Sequence, residues 1–201
     1  GLGLCMCLQM KTRTQISVAF ARTQPICWSK IARNESLNKE VTIEVEFTKP
    51  VLKWEDVHKY KKPKNSHFVI FPYRIQWQEA KVITETQIKN KYPLGYVYLK
   101  ENEKELRARE KWKFDHEQRY MFGRQQGINW VEQPKIITPE ISLWTNMTFD
   151  DNNMYHNTKC YSFILKEPSK ERYKYYLSIL NSKLMWFFLS ETWYVLRGWY
   201  F

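Results

Sequence analysis

Between Gly123 and Gly127, in the stretch YMFGRQQGINW, the chain displays Arg124, Gln125 and Gln126. Such side chains carry paired donors and acceptors that match base edges, arginine meeting guanine and glutamine meeting adenine. From Arg107 to Arg124 cations alternate with aromatics, with Arg109, Lys111, Trp112, Lys113, Arg119, Tyr120 and Phe122 between them. Cations neutralise phosphates, while aromatic rings anchor a segment in a core or stack on bases. Two readings follow: a base-reading loop, or a solvated turn in which Gly123 and Gly127 supply positive φ.

Other chemistries find little support. No Gly-x-x-x-x-Gly-Lys phosphate loop occurs, and Gly1-Leu2-Gly3 lacks the third glycine of a dinucleotide site. A Gly-x-Ser-x-Gly elbow is missing, as is the Asn-Pro-Pro-Tyr type of loop with which amino-methylating enzymes grip an adenine. His58, His67, His116 and His156 never stand four apart, so no helical metal site is expected. Glu79-Ala80-Lys81 fits the Glu-x-Lys of Mg²⁺-dependent nucleases, a pattern that chance also supplies in a chain this charged. The alternatives kept open are that nuclease and a basic module binding RNA or protein.

The elements around these residues read as a mixture. VTIEVEF (Val41 to Phe47) alternates apolar and polar positions as a half-buried strand does. QISVAFA (Gln15 to Ala21), HFVIFPY, PKIITPEIS and CYSFIL give further short strands, and TFDDNNMYHN is a turn cluster. Glu103/Arg107 and Glu105/Arg109 stand four apart with the acid first, which predicts a charged helix from about Leu94 to Arg109. Tyr173, Leu177, Leu180, Leu184 and Phe188 form an apolar stripe on a long C-terminal helix. The expected fold is α+β: a single domain with a small mixed or antiparallel sheet, a charged mid-chain helix and a long amphipathic helix near the C-terminus.

The bulk properties agree with a folded, polyanion-seeking protein. With 201 residues the chain suits one core, and 16% aromatic content is too high for a disordered tail. A formal charge of +11 favours nucleic acid over a membrane surface. Cys5, Cys7, Cys27 and Cys160 have no disulfide or zinc spacing and read as free thiols. GLGLCMC is too short for a signal peptide, and LMWFFL is too short to cross a bilayer. A cytoplasmic setting is expected, in which the sequons at Asn34 and Asn146 are chance matches.

Taken in order, FGRQQGI, PKIITPEIS, FDDNNMYHNTKCYSFIL, YLSILNSKLMWFFL and LRGWYF resemble the TaqI-like C-terminal specificity domain of DNA adenine methyltransferases and fused restriction-methylation enzymes. The resemblance runs over roughly Val41 to Phe201, helped by KPVLKWEDVHKY, VIFPY and YPLGYVYLKENEKELRARE upstream, and the first forty residues match poorly. It implies a target-recognition domain that selects a sequence on double-stranded DNA. A separate N-terminal methyltransferase domain then binds S-adenosylmethionine and methylates an extruded adenine. This chain is expected to carry no catalytic residue, metal or cofactor of its own, and to be a fragment or a separate specificity unit.

Carried over by residue, the Gly-Arg motif falls on Gly123 and Arg124, Lys-Ile-Ile on Lys135 to Ile137, Leu-Asn-Ser-Lys on Leu180 to Lys183, and Arg-Gly on Arg197 and Gly198. The resemblance places Arg124, Gln125, Gln126, Lys135, Lys183 and Arg197 at the DNA; Arg119, from the run of cations and aromatics, is expected there too, with Gly123, Gly127 and Gly198 as turn residues. Asn181 and Ser182 are expected to bond backbone, and Tyr155, Cys160, Tyr161, Leu177, Leu184 and Phe187 to lie in the core. One departure stands out, Arg197-Gly198-Trp199-Tyr200 in place of the family's Arg-Gly-Gly-Tyr, and the final strand-like segment that the resemblance leads one to expect would lie beyond Phe201.

Overall fold

A computed structural model describes residues 7–15, 28–34, 39–65, 67–125 and 127–192. The chain is an α+β protein, and it divides into two compact units, residues 1–49 with 67–129 and residues 50–66 with 130–201.

The first unit is built on antiparallel strands. β1 (Cys7–Gln15), β2 (Trp28–Asn34) and β3 (Lys39–Glu44) form a meander, a 3-10 turn over Val45–Phe47 leads into β4 (Thr48–Leu52), and β5 (His67–Ile70) pairs on the other side of β1. β1 and β2 thus come from the segment that resembles the family least. The expected strand Gln15 to Ala21 lies outside the described residues except for Gln15, which ends β1. Alternation along β3 continues only to Glu44, where the 3-10 turn buries Phe47.

A second small sheet follows: β6 (Tyr73–Gln76) and β7 (Glu79–Val82) form a hairpin whose two-residue turn is Trp77 and Gln78. α1 (Glu85–Lys91) starts with a capping box, since the Thr84 hydroxyl accepts from Gln87 N and the Gln87 side chain accepts from Thr84 N. α2 (Pro93–Glu101) begins on a buried carboxylate: Glu44 accepts from Leu94 N at 2.8 Å and Gly95 N at 2.9 Å. Burial pushes the Glu44 carboxyl up, and these backbone donors oppose the rise. Gly95 is needed there because a Cβ would lie 2.4 Å from the Phe47 ring.

The helix expected over Leu94 to Arg109 is broken. α2 ends at Asn102, whose amide side chain donates back to Tyr98 O at 2.8 Å, and α3 (Glu103–Arg107) then restarts. The four-residue coil α4 (Arg109–Trp112) is not a right-handed helix, because Glu110 (φ 50°, ψ 46°) and Lys111 (φ 58°, ψ 51°) wind left-handed and Trp112 (φ 67°) follows them. Each such residue costs about 1 kcal/mol or more. Replacing exposed Lys111 by glycine is therefore expected to raise the thermal unfolding midpoint, corresponding to about 1 kcal/mol of added stability, and a lowered midpoint would contradict the left-handed conformation.

In the second unit a 3-10 turn over Trp54–Asp56 precedes a three-stranded antiparallel sheet of order β11 (Cys160–Phe163), β8 (Lys135–Pro139), β9 (Thr148–Asp150). β10 (Tyr155–His156) runs parallel to Val51 and Leu52 of β4. The central strand β8 is buried along nearly its whole length, as its run between two prolines suggests. α5 (Lys170–Leu180) sets Tyr173 and Leu177 against Ile136 and Met147. The Tyr173 hydroxyl donates to Pro134 O at 2.5 Å and accepts from Leu165 N at 3.1 Å.

The long C-terminal helix is interrupted too. Asn181 ends α5, buried, with its side chain accepting from Met147 N at 3.0 Å and donating to Met147 O at 2.8 Å. Ser182 then caps α6 (Lys183–Thr192) by accepting from Met185 N at 3.0 Å. The backbone roles expected of both residues hold. The apolar stripe does not continue into a core, because α6 starts afresh beyond this corner: Leu184 and Phe187 are 77% and 61% exposed. Tyr161, also expected in the core, is 54% exposed on β11, while Tyr155, Cys160 and Leu177 are buried.

Cys160 is a free thiol, pushed up to about 12 by burial, and so is an unreactive packing residue. Asn34 and Asn146 use their amides internally, the first donating to Tyr98 Oη at 2.7 Å and the second to Val57 O at 2.8 Å. No helix among the described residues is long and apolar enough to cross a membrane.

Candidate nucleic-acid interface

In the first unit the loop after Phe122 is fastened at both ends to the β6–β7 hairpin. Phe122 N donates to Tyr73 Oη at 2.6 Å, and the Phe122 ring lies 5.0 Å from the Tyr73 ring and 5.9 Å from Phe71. Burial pushes the Tyr73 hydroxyl up to about 12, so it stays a neutral acceptor at working pH. On the far side of the loop, Asn129 Oδ1 accepts from Ala80 N at 2.9 Å. Between these anchors Arg124 and Gln125 are exposed, Ile128 N closes a turn on Gln125 O at 3.2 Å, and Gly127 takes a φ of 77°. Gln126 lies outside the described residues.

The two glycines differ in purpose. Gly127 supplies the left-handed conformation, with nothing near a would-be Cβ. Gly123 supplies space instead, since a Cβ there would fall 2.5 Å from Glu110 Oε1 and 3.4 Å from Phe114 Cζ. The left-handed coil α4 therefore packs directly under the start of the loop, with Lys111 and Trp112 exposed beside it.

Most of the upstream cations do not face solvent as free charges. Arg107 pairs with Glu103 at 2.7 Å and with Asp115 at 2.8 Å. Arg109, expected to pair with Glu105, instead donates to Arg119 O and to Met121 O (2.8 Å) and lies 4.2 Å from the centre of the Phe114 ring. Arg119 is a correction to the expected DNA set: it is 2% exposed, held by Glu85 at 3.2 Å and Glu103 at 3.3 Å. Its charge is consumed by carboxylates 34 and 16 residues earlier in the chain, which no local pattern reveals.

Lys135 is the second correction. It is fully buried, paired at 2.8 Å with fully buried Asp150, its partner across the β8–β9 register, and it donates to Val131 O at 2.6 Å. Asp150 in turn accepts from Asn152 N and Met154 N, both at 2.9 Å, and so shapes the Asp-Asn turn. A phosphate contact by Lys135 would leave buried Asp150 without its counter-charge, and one by Arg119 would break its pairs with Glu85 and Glu103.

The second unit does expose a cationic and aromatic surface of its own. The Asn181–Ser182 corner presents exposed Lys183 at a cleft lined by Trp54, Trp144, Trp186, Lys59 and Lys61. The Trp144 and Trp186 rings lie 5.0 Å apart, and Trp54 and Trp144 are more than half exposed. Arg197 and Gly198 lie outside the described residues.

Glu79 and Lys81, the nuclease candidates, are exposed and pair with each other at 3.2 Å on one face of β7. Among the described residues no group of three or more His, Cys, Asp or Glu side chains could hold a metal ion. The sequence reading missed the Trp77 hairpin tip and the Glu44 cap. A pair of four-residue alternating runs two residues apart was the available signal for the hairpin, but Trp-Gln is not a turn-forming dipeptide.

Fold and surfaces together define an α+β module that offers anchored loops, exposed cations and exposed rings. The chain matches the TaqI-like C-terminal specificity domain over residues 49–200, and it belongs to that family. No individually curated protein matches it. As a specificity domain, it has its role in target recognition by restriction-modification methyltransferases.

Proposed function

We propose that this chain reads the target sequence on double-stranded DNA for an adenine-N6 methyltransferase, while a separate domain binds S-adenosylmethionine and performs the methyl transfer. The observation that carries the reading is the loop of Arg124 and Gln125, tied to the β6–β7 hairpin on both sides. Fixing the loop backbone matters because base readout by a bidentate arginine demands a set orientation, and a tethered loop loses less freedom on binding. Arg124, Gln125 and Gln126 are the base-reading group. Lys183 and Arg197 are phosphate contacts, which position the duplex without reading it. Lys59 and Lys61 join Lys183 in this role, since they line the same cleft.

Selection of bound duplexes from a randomised library at moderate salt tests the proposal. A motif of a few base pairs is expected. On that motif Arg124→Ala is expected to cost about 1–3 kcal/mol and to relax preference at one base pair, whereas Lys183→Ala weakens all sequences alike. Retention without any motif, or an Arg124→Ala protein with unchanged preference, defeats the readout role.

A further inference from the structure

The β6–β7 hairpin holds a feature that packing does not explain. Its stem pairs Tyr73 with Val82, Arg74 with Lys81, Ile75 with Ala80 and Gln76 with Glu79, so the turn is Trp77-Gln78 alone. Both turn residues have positive φ, 51° and 62°. That is the backbone of a type I′ turn, which favours Asn-Gly, yet neither residue here is Gly or Asn. The first turn position carries the largest side chain available, and it is 100% exposed. A ring wholly in water contributes nothing to the core, while its backbone conformation works against stability.

What the hairpin does provide is aim. The stem is fixed at its base by the Phe71, Tyr73 and Phe122 rings and by the Ala80–Asn129 hydrogen bond, the same contacts that hold the Arg124 loop. From the Ala80 anchor to the tip the strand rises about 7 Å. The grooves of B-form DNA are about 7.5–8.5 Å deep, so a rigid tip of this length with an indole at its end reaches the base stack. Exposed Arg74 on the stem supplies charge that a phosphate-lined groove attracts, beside the Lys81–Glu79 pair.

We propose that Trp77 is a wedge: it enters the groove beside the bases read by the Arg124 loop and stacks on a base, unstacking a step of the duplex. The inference rests on the DNA-recognition reading. Methylation of an adenine requires its extrusion, and loosening one step lowers the cost of removing a neighbour from the stack. Aromatic stacking serves this end with little regard to base identity, so Trp77 contributes affinity and distortion rather than sequence choice.

The test compares the full 201-residue chain with Trp77→Ala and Trp77→Phe on a duplex selected from the randomised library. Trp77→Ala is expected to weaken retention about tenfold or more without changing the selected motif, and Trp77→Phe to stay within about threefold of the parent. The emission difference between the parent and Trp77→Phe isolates the Trp77 indole, and it is expected to be quenched on duplex binding. An abasic site at the unstacked step is expected to restore binding by the alanine variant. Since the side chain buries no surface in the protein, both variants are expected to unfold at the parental temperature. If the parent retains DNA while Trp77→Ala binds equally and the Trp77 emission is unchanged, the wedge is overturned and the recognition reading stands. A parent chain that retains no duplex overturns both.

Discussion

Lys135→Ala is expected to destabilise the protein by about 3–5 kcal/mol, the cost of removing one member of a buried ion pair. The reason lies with what stays behind. Asp150 is fully buried, and without Lys135 its negative charge is left with two backbone donors, Asn152 N and Met154 N. Burial also holds the Lys135 ammonium below the usual lysine range, with Asp150 as the main opposing influence, so the pair is stable only as a pair. Lys135→Met restores the aliphatic volume but still strands Asp150, and so is expected to recover little. Lys135→Met combined with Asp150→Asn removes both charges and is expected to recover more than half of the loss. Denaturant unfolding of the four proteins checks this. A double variant no more stable than Lys135→Met would show that the electrostatic account is wrong and that loss of the Lys135–Val131 bond dominates.

The same residue shows where sequence reasoning stops. The strand that carries Lys135 was legible, because an apolar run between two prolines has few alternatives, and Asp-Asp-Asn-Asn announced its turn. That Lys135 and Asp150 face each other depends on the β8–β9 register, which the sequence leaves open. Helix breaks were illegible for a related reason. Asn102 sits among charged pairs that favour a continuous helix and Asn181 where apolar periodicity runs on, and each ends its helix through a bond, one to Tyr98 O and the other to the Met147 backbone 34 residues away. The left-handed residues Trp77, Gln78 and Glu110 to Trp112 carry no glycine or asparagine signal at all. The recognition loop stood out because Gly123 and Gly127 are rare residues close together, although only the structure separates the one that gives φ from the one that gives room.

Arg119→Met provides the second large effect, expected at about 3 kcal/mol, the low end for a broken buried pair. It is the low end because Glu85 and Glu103 keep 35% and 27% of their side-chain surfaces in solvent and retain Lys100 and Arg107 as partners. Its pH dependence distinguishes this ion-pair role from simple packing. The Arg119 guanidinium, first among the influences on Glu85, holds that carboxyl below its ordinary value of 4.5, and Arg107 followed by Lys100 does the same for Glu103. Because the folded values are lowered, the unfolded chain binds more protons as pH falls through 4.5. The stabilisation is therefore complete above that value and is lost progressively as pH drops through the folded values. In Arg119→Met the loss is expected to be shallower, since Glu85 no longer has its strongest partner. Stability measured from pH 7 down to about pH 3 reads the difference between the two curves. Curves that stay parallel would assign Arg119 to packing alone. A protein whose fold is unaffected but whose DNA retention falls would return Arg119 to the contact surface, against its burial in this structure.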